Sequence, residues 1–201
     1  MEGRRRQLSA GLLVALLVVA GCSSDKKAKS GITIDTLAAA SGTACPVPLE
    51  VSADNSGVDT PAPATGSVVV GHPSTDPTLD PTADTPIDAA DGVEAECTMQ
   101  LAEGGTLDLV LVAARTEAAP ELLVPAAAEA GHLTADQSTQ LGNDATRTKE
   151  GELIPVPGAE AIAMMRTKVN GATSAALLVS SASLKRAQVE QIARQLDERL
   201  R

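Results

Sequence analysis

The fold is decided by residues 93–114, VEAECTMQLAEGGTLDLVLVAA, in which apolar and polar side chains alternate. A period of two is typical of strands that bury one face. Gly104-Gly105 interrupts the alternation with a pair of turn residues, so the two runs predict an antiparallel hairpin. Cys97 falls on the apolar side of the first strand, which places its thiol toward the core.

A second hairpin is predicted over about residues 160–180. Asn170-Gly171 lies between two apolar runs and is a strong signal for a two-residue turn. The following residues 184–200 carry an apolar stripe at helical spacing opposite a charged face that includes Asp197, with Ser183 placed as the helix cap. The predicted fold class is therefore α+β, an antiparallel sheet of two hairpins with helices packed on one face.

The segments around these hairpins give weaker patterns. Residues 118–130 predict a helix interrupted by Pro125 and stopped at Gly131. Residues 132–158 predict a polar loop up to Leu153 to Val156, which is either loop or an edge strand because of Pro155 and Pro157. Residues 72–91 are rich in Asp, Pro and Thr and predict a disordered insertion. Calcium binding there is disfavoured, because the prolines favour an extended chain that keeps the carboxylates apart. A calcium-binding loop instead brings its ligands together around one ion.

The N-terminal residues are typical of an export signal. Arg4, Arg5 and Arg6 precede an apolar run over 8–20, which is shorter than the roughly 20 residues that a membrane-spanning helix needs. Ala20-Gly21-Cys22 then resembles the lipobox of bacterial lipoproteins. We therefore predict a signal peptide at 1–21, lipidation of Cys22, a flexible tether at 22–34 and a single domain at 35–201. An ordinary signal peptide with a stray cysteine is the alternative, and the Sec and twin-arginine routes both stay open.

Composition excludes several kinds of binding site. The 201 residues contain no Phe, Tyr or Trp, so stacking on sugars or bases and aromatic cages for cations are ruled out. Without residues 1–21 the chain keeps 13 basic and 25 acidic residues, a formal net charge of −12. Nucleic acid is a poor partner for so acidic a surface, because binding it depends on neutralising phosphates.

The three cysteines divide between two roles. With Cys22 assigned to lipid, Cys45 and Cys97 remain as a pair in an oxidising compartment, and we predict a disulfide between them. Two free thiols are the alternative. Metal ligation has little support, since only His72 and His132 could join the two thiols, so we predict no metal and no cofactor.

The lipobox, Cys45, Cys97 on its strand, the loop before Gly158 and the terminal amphipathic helix together resemble a family. They are similar to actinobacterial exported lipoproteins that carry a two-cysteine domain of unknown function, which is itself similar to extracellular sensor domains of bacterial serine/threonine kinases. The resemblance covers about residues 35–200. It implies a disulfide-bonded α+β domain in the envelope and carries over no catalytic residue.

The functional expectation is a lipid-anchored protein on the extracytoplasmic face of the cell membrane. Its domain is predicted to be non-enzymatic and to bind a partner protein or an apolar ligand. One alternative is a hydrolase that uses Glu94 and Glu96, two carboxylates on the polar face of one strand. Another is a structural spacer. His72 and His132 lie in no recognised catalytic motif and are interpreted as surface loop residues.

Overall fold

A computed structural model of the protein describes residues 31–40, 42–47, 64–71, 85–102, 104–158 and 161–201. The predicted signal peptide, the lipidation site Cys22 and the core of the predicted insertion at 72–84 lie outside these residues. Among the described residues, no helix is both long and apolar enough to cross a bilayer.

The described chain contains six helices and six strands. The helices are α1 (Ile34–Ala38), α2 (Pro86–Ala89), α3 (Ala119–Leu122), α4 (Val124–Gly131), α5 (Ala135–Arg147) and α6 (Arg186–Leu200). The strands are β1 (Thr65–Val70), β2 (Gly92–Gln100), β3 (Thr106–Ala114), β4 (Leu153–Ile154), β5 (Ile162–Thr167) and β6 (Ser174–Ser180).

The six strands form one antiparallel sheet in the order β1-β2-β3-β6-β5-β4. Strands β2 and β3 pair over their whole length, from Gly92 opposite Ala114 to Gln100 opposite Thr106. Strands β5 and β6 form the second hairpin, and β3 pairs with β6 to join the two. The predicted α+β class and both hairpins are confirmed.

One side of the sheet, which we call face 1, carries the larger apolar core. Cys97 on β2, Leu109 and Leu111 on β3 and Leu177 on β6 are all almost completely buried there. Helices α1 and α6 cover them, and the predicted C-terminal amphipathic helix is confirmed. The core is made of Leu, Val, Ile, Met and Ala side chains together with Cys97.

The other side, face 2, corrects the prediction that helices pack on one face only. Helix α3 contacts β3 and β6 there, α4 contacts β5 and α5 contacts β4. A second cluster of buried side chains lies between these helices and the sheet. Strands β3 and β6 bury Val112 and Leu178 on this side as well as leucines on face 1, so the central strands need cover on both sides. Six of the fourteen buried residues in this second cluster are alanines, which let helices approach the sheet closely.

Helix α5 occupies part of the stretch that was predicted to be a polar loop. It begins at a capping box in which the Gln137 backbone N–H donates to Thr134 Oγ1 at 3.3 Å and the Thr134 N–H donates to Gln137 Oε1 at 2.9 Å. Only Leu141 and Ala145 are buried along its length. Two buried residues are too few to give the helix a recognisable apolar period in the sequence.

The turn of the second hairpin also differs from the prediction of a two-residue turn. Residues 168–173 connect β5 to β6, and Thr167 pairs with Ala175. Asn170 is used instead by the N-terminal segment, since its N–H donates to the Ile32 carbonyl and its carbonyl accepts from the Ile34 N–H. Residues 32–34, predicted as the end of the tether, are therefore part of the domain.

The start of one helix and the presence of another differ from the sequence prediction. Helix α6 begins at Arg186, and Ser183 does not cap it but lies 3.2 Å from Ser181, hydroxyl to hydroxyl. Residues 85–91, counted within the predicted insertion, contain α2, whose first turn is closed by Thr85 and Asp88. The Thr85 hydroxyl donates to the Asp88 carboxylate at 2.6 Å.

Asp197 was predicted on the solvent face of the C-terminal helix, but its side chain is buried. The Thr167 hydroxyl donates to Asp197 Oδ1 at 2.7 Å, and Arg201 Nε lies 3.0 Å from the other oxygen. A charged group that leaves water requires such partners. The charge of Asp197 is therefore compatible with its position against β5.

Candidate functional site

The ends of the sheet define two poles. At the N-terminal pole the first described residues meet the end of the chain: a Cβ added at Gly31 would lie 3.5 Å from the Arg201 carbonyl oxygen and closer still to the Asn170 side chain. The opposite end, the distal pole, contains the Gly104-Gly105 turn, where β3 begins and β6 ends. Strand β3 has nine residues, so the poles lie roughly 30 Å apart.

A cavity of about 450 Å³ opens at the distal pole. Its walls come from the start of β3 (Thr106 and Asp108), the end of β6 (Ser180 and Ser181) and the end of α4 (His132). Ligand pockets in proteins commonly measure 300–1,000 Å³. The cavity is therefore large enough for a small organic molecule.

The polar wall of the cavity is fixed by hydrogen bonds. Thr98 Oγ1 donates to Asp108 Oδ1 at 2.7 Å, which orients the carboxylate. Ser181 Oγ donates to the Thr106 carbonyl at 2.7 Å and so ties the end of β6 to the start of β3. Ser180 lies directly opposite Asp108 in the β3–β6 register. The Asp108 carboxylate and the Ser181 hydroxyl are thus oriented by bonds within the protein.

His132 closes the cavity from the side of α4. It follows the last residue of the helix in the left-handed conformation, with φ of 50°, and its N–H donates to the Glu129 carbonyl at 3.2 Å. Non-glycine residues seldom adopt this conformation, although His is enriched there. His132 is exposed, as predicted, but it also lines the cavity; His72 lies outside the described residues.

The remaining walls are made of small and apolar groups. Ile162 on β5 and the alanines Ala130, Ala161 and Ala182 line the cavity with Gly131 and Gly158. Asp108 is the single Asp, Glu, Lys or Arg among the lining residues that the structure describes. The cavity thus combines a carboxylate and hydroxyl groups on one side with an aliphatic surface on the other.

The carboxylate pair predicted from sequence lies elsewhere. Glu94 and Glu96 both project from face 2 of β2, as predicted, but neither is among the residues that line the cavity. Burial raises the pKa of the Glu94 carboxyl, and the neighbouring charge of Glu96 raises it further. Val69, opposite Glu94 on β1, is 50% exposed, so this part of face 2 is open to solvent.

The predicted disulfide between Cys45 and Cys97 is present. The two Cα atoms lie 5.3 Å apart, and the residues are separated by 52 positions in the chain. The bond holds residues 42–47 against the edge of the sheet, where the Gly66 N–H also donates to the Thr43 carbonyl at 2.8 Å. It therefore fastens an early segment to the strand that organises the fold.

No family model, curated protein or solved structure matches this chain. Within the described residues, no group of three or more His, Cys, Asp or Glu side chains is arranged to hold a metal ion.

Sequence reasoning missed Asp108 and Ser180 as members of a site. The sequence places both residues in predicted strands, but it does not predict that β3 pairs with β6. The β3–β6 register is what places the two side chains opposite each other.

Proposed function

We propose that the protein is a membrane-anchored lipoprotein of the cell envelope whose folded domain binds a partner and carries out no reaction. The domain binds a small, partly aliphatic ligand or a segment of a partner protein at the distal pole. The observation that carries this proposal is the cavity of about 450 Å³, whose polar groups are already oriented by hydrogen bonds. Preformed cavities with a few fixed polar groups are the usual form of a ligand site.

The Cys45–Cys97 disulfide supports the extracytoplasmic location, because such bonds persist in oxidising compartments. The lipobox-like Cys22 then gives the means of attachment. From Cys22 to Gly31 a fully extended chain spans at most about 30 Å, so the N-terminal pole would stay near the membrane. The cavity lies at the other pole, roughly 30 Å further from the point of attachment.

The test of anchoring is the intact mass of the membrane-extracted protein, measured before and after reduction with thiol alkylation. We expect loss of residues 1–21, an added diacylglyceryl group on Cys22, and two alkylated thiols only after reduction. A Cys22→Ala variant should leave the membrane fraction. Wild-type protein recovered in the soluble fraction with an unmodified Cys22 would refute the anchor.

A hydrolase that uses Glu94 and Glu96 is the second candidate. The raised pKa of Glu94 beside Glu96 favours it, since a general acid must hold its proton near the working pH. The test is the double variant Glu94→Gln/Glu96→Gln, assayed with cell-wall glycan and peptide substrates. Activity that survives both substitutions counts against this candidate.

A further inference from the structure

We propose that the distal cavity binds a small molecule with a primary ammonium group on a short aliphatic body, and that Asp108 is its ion-pair partner. This inference rests on the binding part of the proposed function and not on lipid anchoring. It assigns the chemical class of the ligand from the groups that line the cavity.

Charge selects a cation. Asp108 supplies a carboxylate, and no Lys or Arg is among the described lining residues to attract an anion. The whole chain carries a formal net charge of −10, so its long-range field also attracts cations. A carboxylate or phosphate ligand would meet repulsion at the wall where its polar group must lie.

Hydrogen bonding selects an ammonium group with N–H donors. Thr98 occupies one oxygen of Asp108 at 2.7 Å, and the ligand can donate to the other. The hydroxyl of Ser180, opposite Asp108 in the sheet, is a second acceptor. An ammonium has three donors to distribute over such acceptors, whereas a trimethylammonium group has none.

The apolar wall of the cavity indicates which group carries the ammonium of the ligand. Ile162, Ala130, Ala161 and Ala182 offer methyl groups and no aromatic ring, so a quaternary cation finds no cage of the kind that binds it in other proteins. A chain of a few methylene groups would cover these methyls and gain from their removal from water. The inferred ligand is thus a short primary alkylamine or a molecule that contains one.

The experiment uses the purified mature protein, in detergent if it is lipid-modified, labelled with ¹³C in Ala and Ile methyl groups. The probes are n-pentylamine hydrochloride, pentan-1-ol, sodium pentanoate and pentyltrimethylammonium chloride, titrated separately at constant ionic strength. We expect pentylamine to shift the methyls of Ala130, Ala161, Ala182 and Ile162 saturably, with a Kd at least tenfold below those of the other probes.

Variants test the role of Asp108. Asp108→Asn keeps an acceptor for Thr98 and should weaken pentylamine binding at least tenfold while leaving pentanol unchanged. Glu121→Gln removes a charge from an exposed position on α3 and is the matched control, with no expected effect. Ser180→Ala should give a smaller loss. The methyl spectrum of each variant reports whether it has folded.

Two results would overturn the inference, and they differ in what they say about the proposed function. If pentanol or pentanoate binds as tightly as pentylamine, or if Asp108→Asn binds pentylamine like the wild type, the cavity is a ligand site of another class. If no probe shifts the cavity methyls up to millimolar concentrations, the cavity is not a small-molecule site, and the small-ligand part of the proposed function fails with the inference.

Discussion

The two faces of the sheet are covered in different ways. Face 1 is closed by segments from both ends of the described chain, namely α1, residues 42–47 and α6. Face 2 is closed mainly by α3, α4 and α5, which follow one another between residues 119 and 147; α2 adds Ile87 near β2, and the exposed Val69 marks the part of β1 that stays open. Face 1 thus depends on contacts between distant parts of the sequence, whereas most of the cover of face 2 is one continuous segment.

The difference indicates where stability resides. Ordering distant segments carries a larger entropy cost than ordering neighbours, and the disulfide on face 1 reduces that cost. Face 2 leaves part of β1 exposed at Val69, so neighbouring side chains there can relax toward solvent when a buried group is removed. We expect perturbations of face 1 to reduce global stability more than equivalent perturbations of face 2.

The largest expected effect comes from removing the disulfide. The double variant Cys45→Ala/Cys97→Ala should lower the free energy of unfolding by about 4 kcal/mol, because it frees the loop that the bond closes. Urea denaturation followed by far-UV circular dichroism measures it. Wild-type protein reduced with a thiol is the control and should show a similar loss. A change below about 1 kcal/mol would mean that face 1 does not depend on the bond.

Two neighbouring leucines of β6 compare the faces directly. Leu177 is 0% exposed on face 1, and Leu178 is 2% exposed on face 2. We expect Leu177→Ala to cost about 3 kcal/mol and Leu178→Ala about 2 kcal/mol, measured by urea denaturation. The difference arises because Leu178 lies opposite the half-buried Val110, where the site can relax. Equal costs, or the reverse order, would contradict the proposed difference between the faces.

A smaller effect is expected at the buried polar contact of face 1. Thr167→Val keeps the shape of the side chain but removes the hydroxyl that donates to Asp197 at 2.7 Å. We expect a loss of about 1–2 kcal/mol in the free energy of unfolding, since Asp197 would then keep only Arg201 as its described partner. Thr65→Val, at an exposed strand position, is the control and should change stability by less than about 0.5 kcal/mol.

The smallest effect is expected on face 2 and has the opposite sign. Folding raises the pKa of Glu94, so the folded protein binds this proton more tightly than the unfolded chain. The resulting stability is present at low pH and is lost as pH rises through the folded pKa. Glu94→Gln should therefore stabilise the protein slightly at pH 7, by less than about 0.5 kcal/mol.

The pH dependence of that gain provides its check. The advantage of Glu94→Gln over the wild type should disappear in denaturation curves recorded below pH 4, where both states of the wild type hold the proton. Glu121→Gln should show no such change with pH. A variant that is destabilised at pH 7 would indicate that the ionised Glu94 makes a favourable contact.

The first hairpin could be predicted because β2 is polar on one face. Its alternation fixes which side chains enter the core, and Gly104-Gly105 marks the turn. Strand β6 offers no such guide, since Ala175 to Val179 are buried on both sides. A run of this kind does not indicate which elements cover it, and for that reason the helix predicted over 118–130 was expected on the same face of the sheet as the C-terminal helix.

The candidate site was still less accessible to prediction. Asp108 and Ser180 are brought together by the β3–β6 register, and His132 by the end of α4. Nothing in the local sequence of each residue specifies the other two. The disulfide was predictable because only Cys45 and Cys97 remained once Cys22 was assigned to lipid. The pair could therefore be named without knowing how the strands are arranged.

A core without aromatic rings has a practical consequence for spectroscopy. With no Trp or Tyr among 201 residues, the protein has almost no absorbance at 280 nm and no intrinsic ultraviolet fluorescence. A single tryptophan placed at the exposed Val69 would be the only emitter in the molecule. Its emission would report on the open part of face 2 alone, so an event there could be followed optically while the distal cavity is followed through its methyl groups.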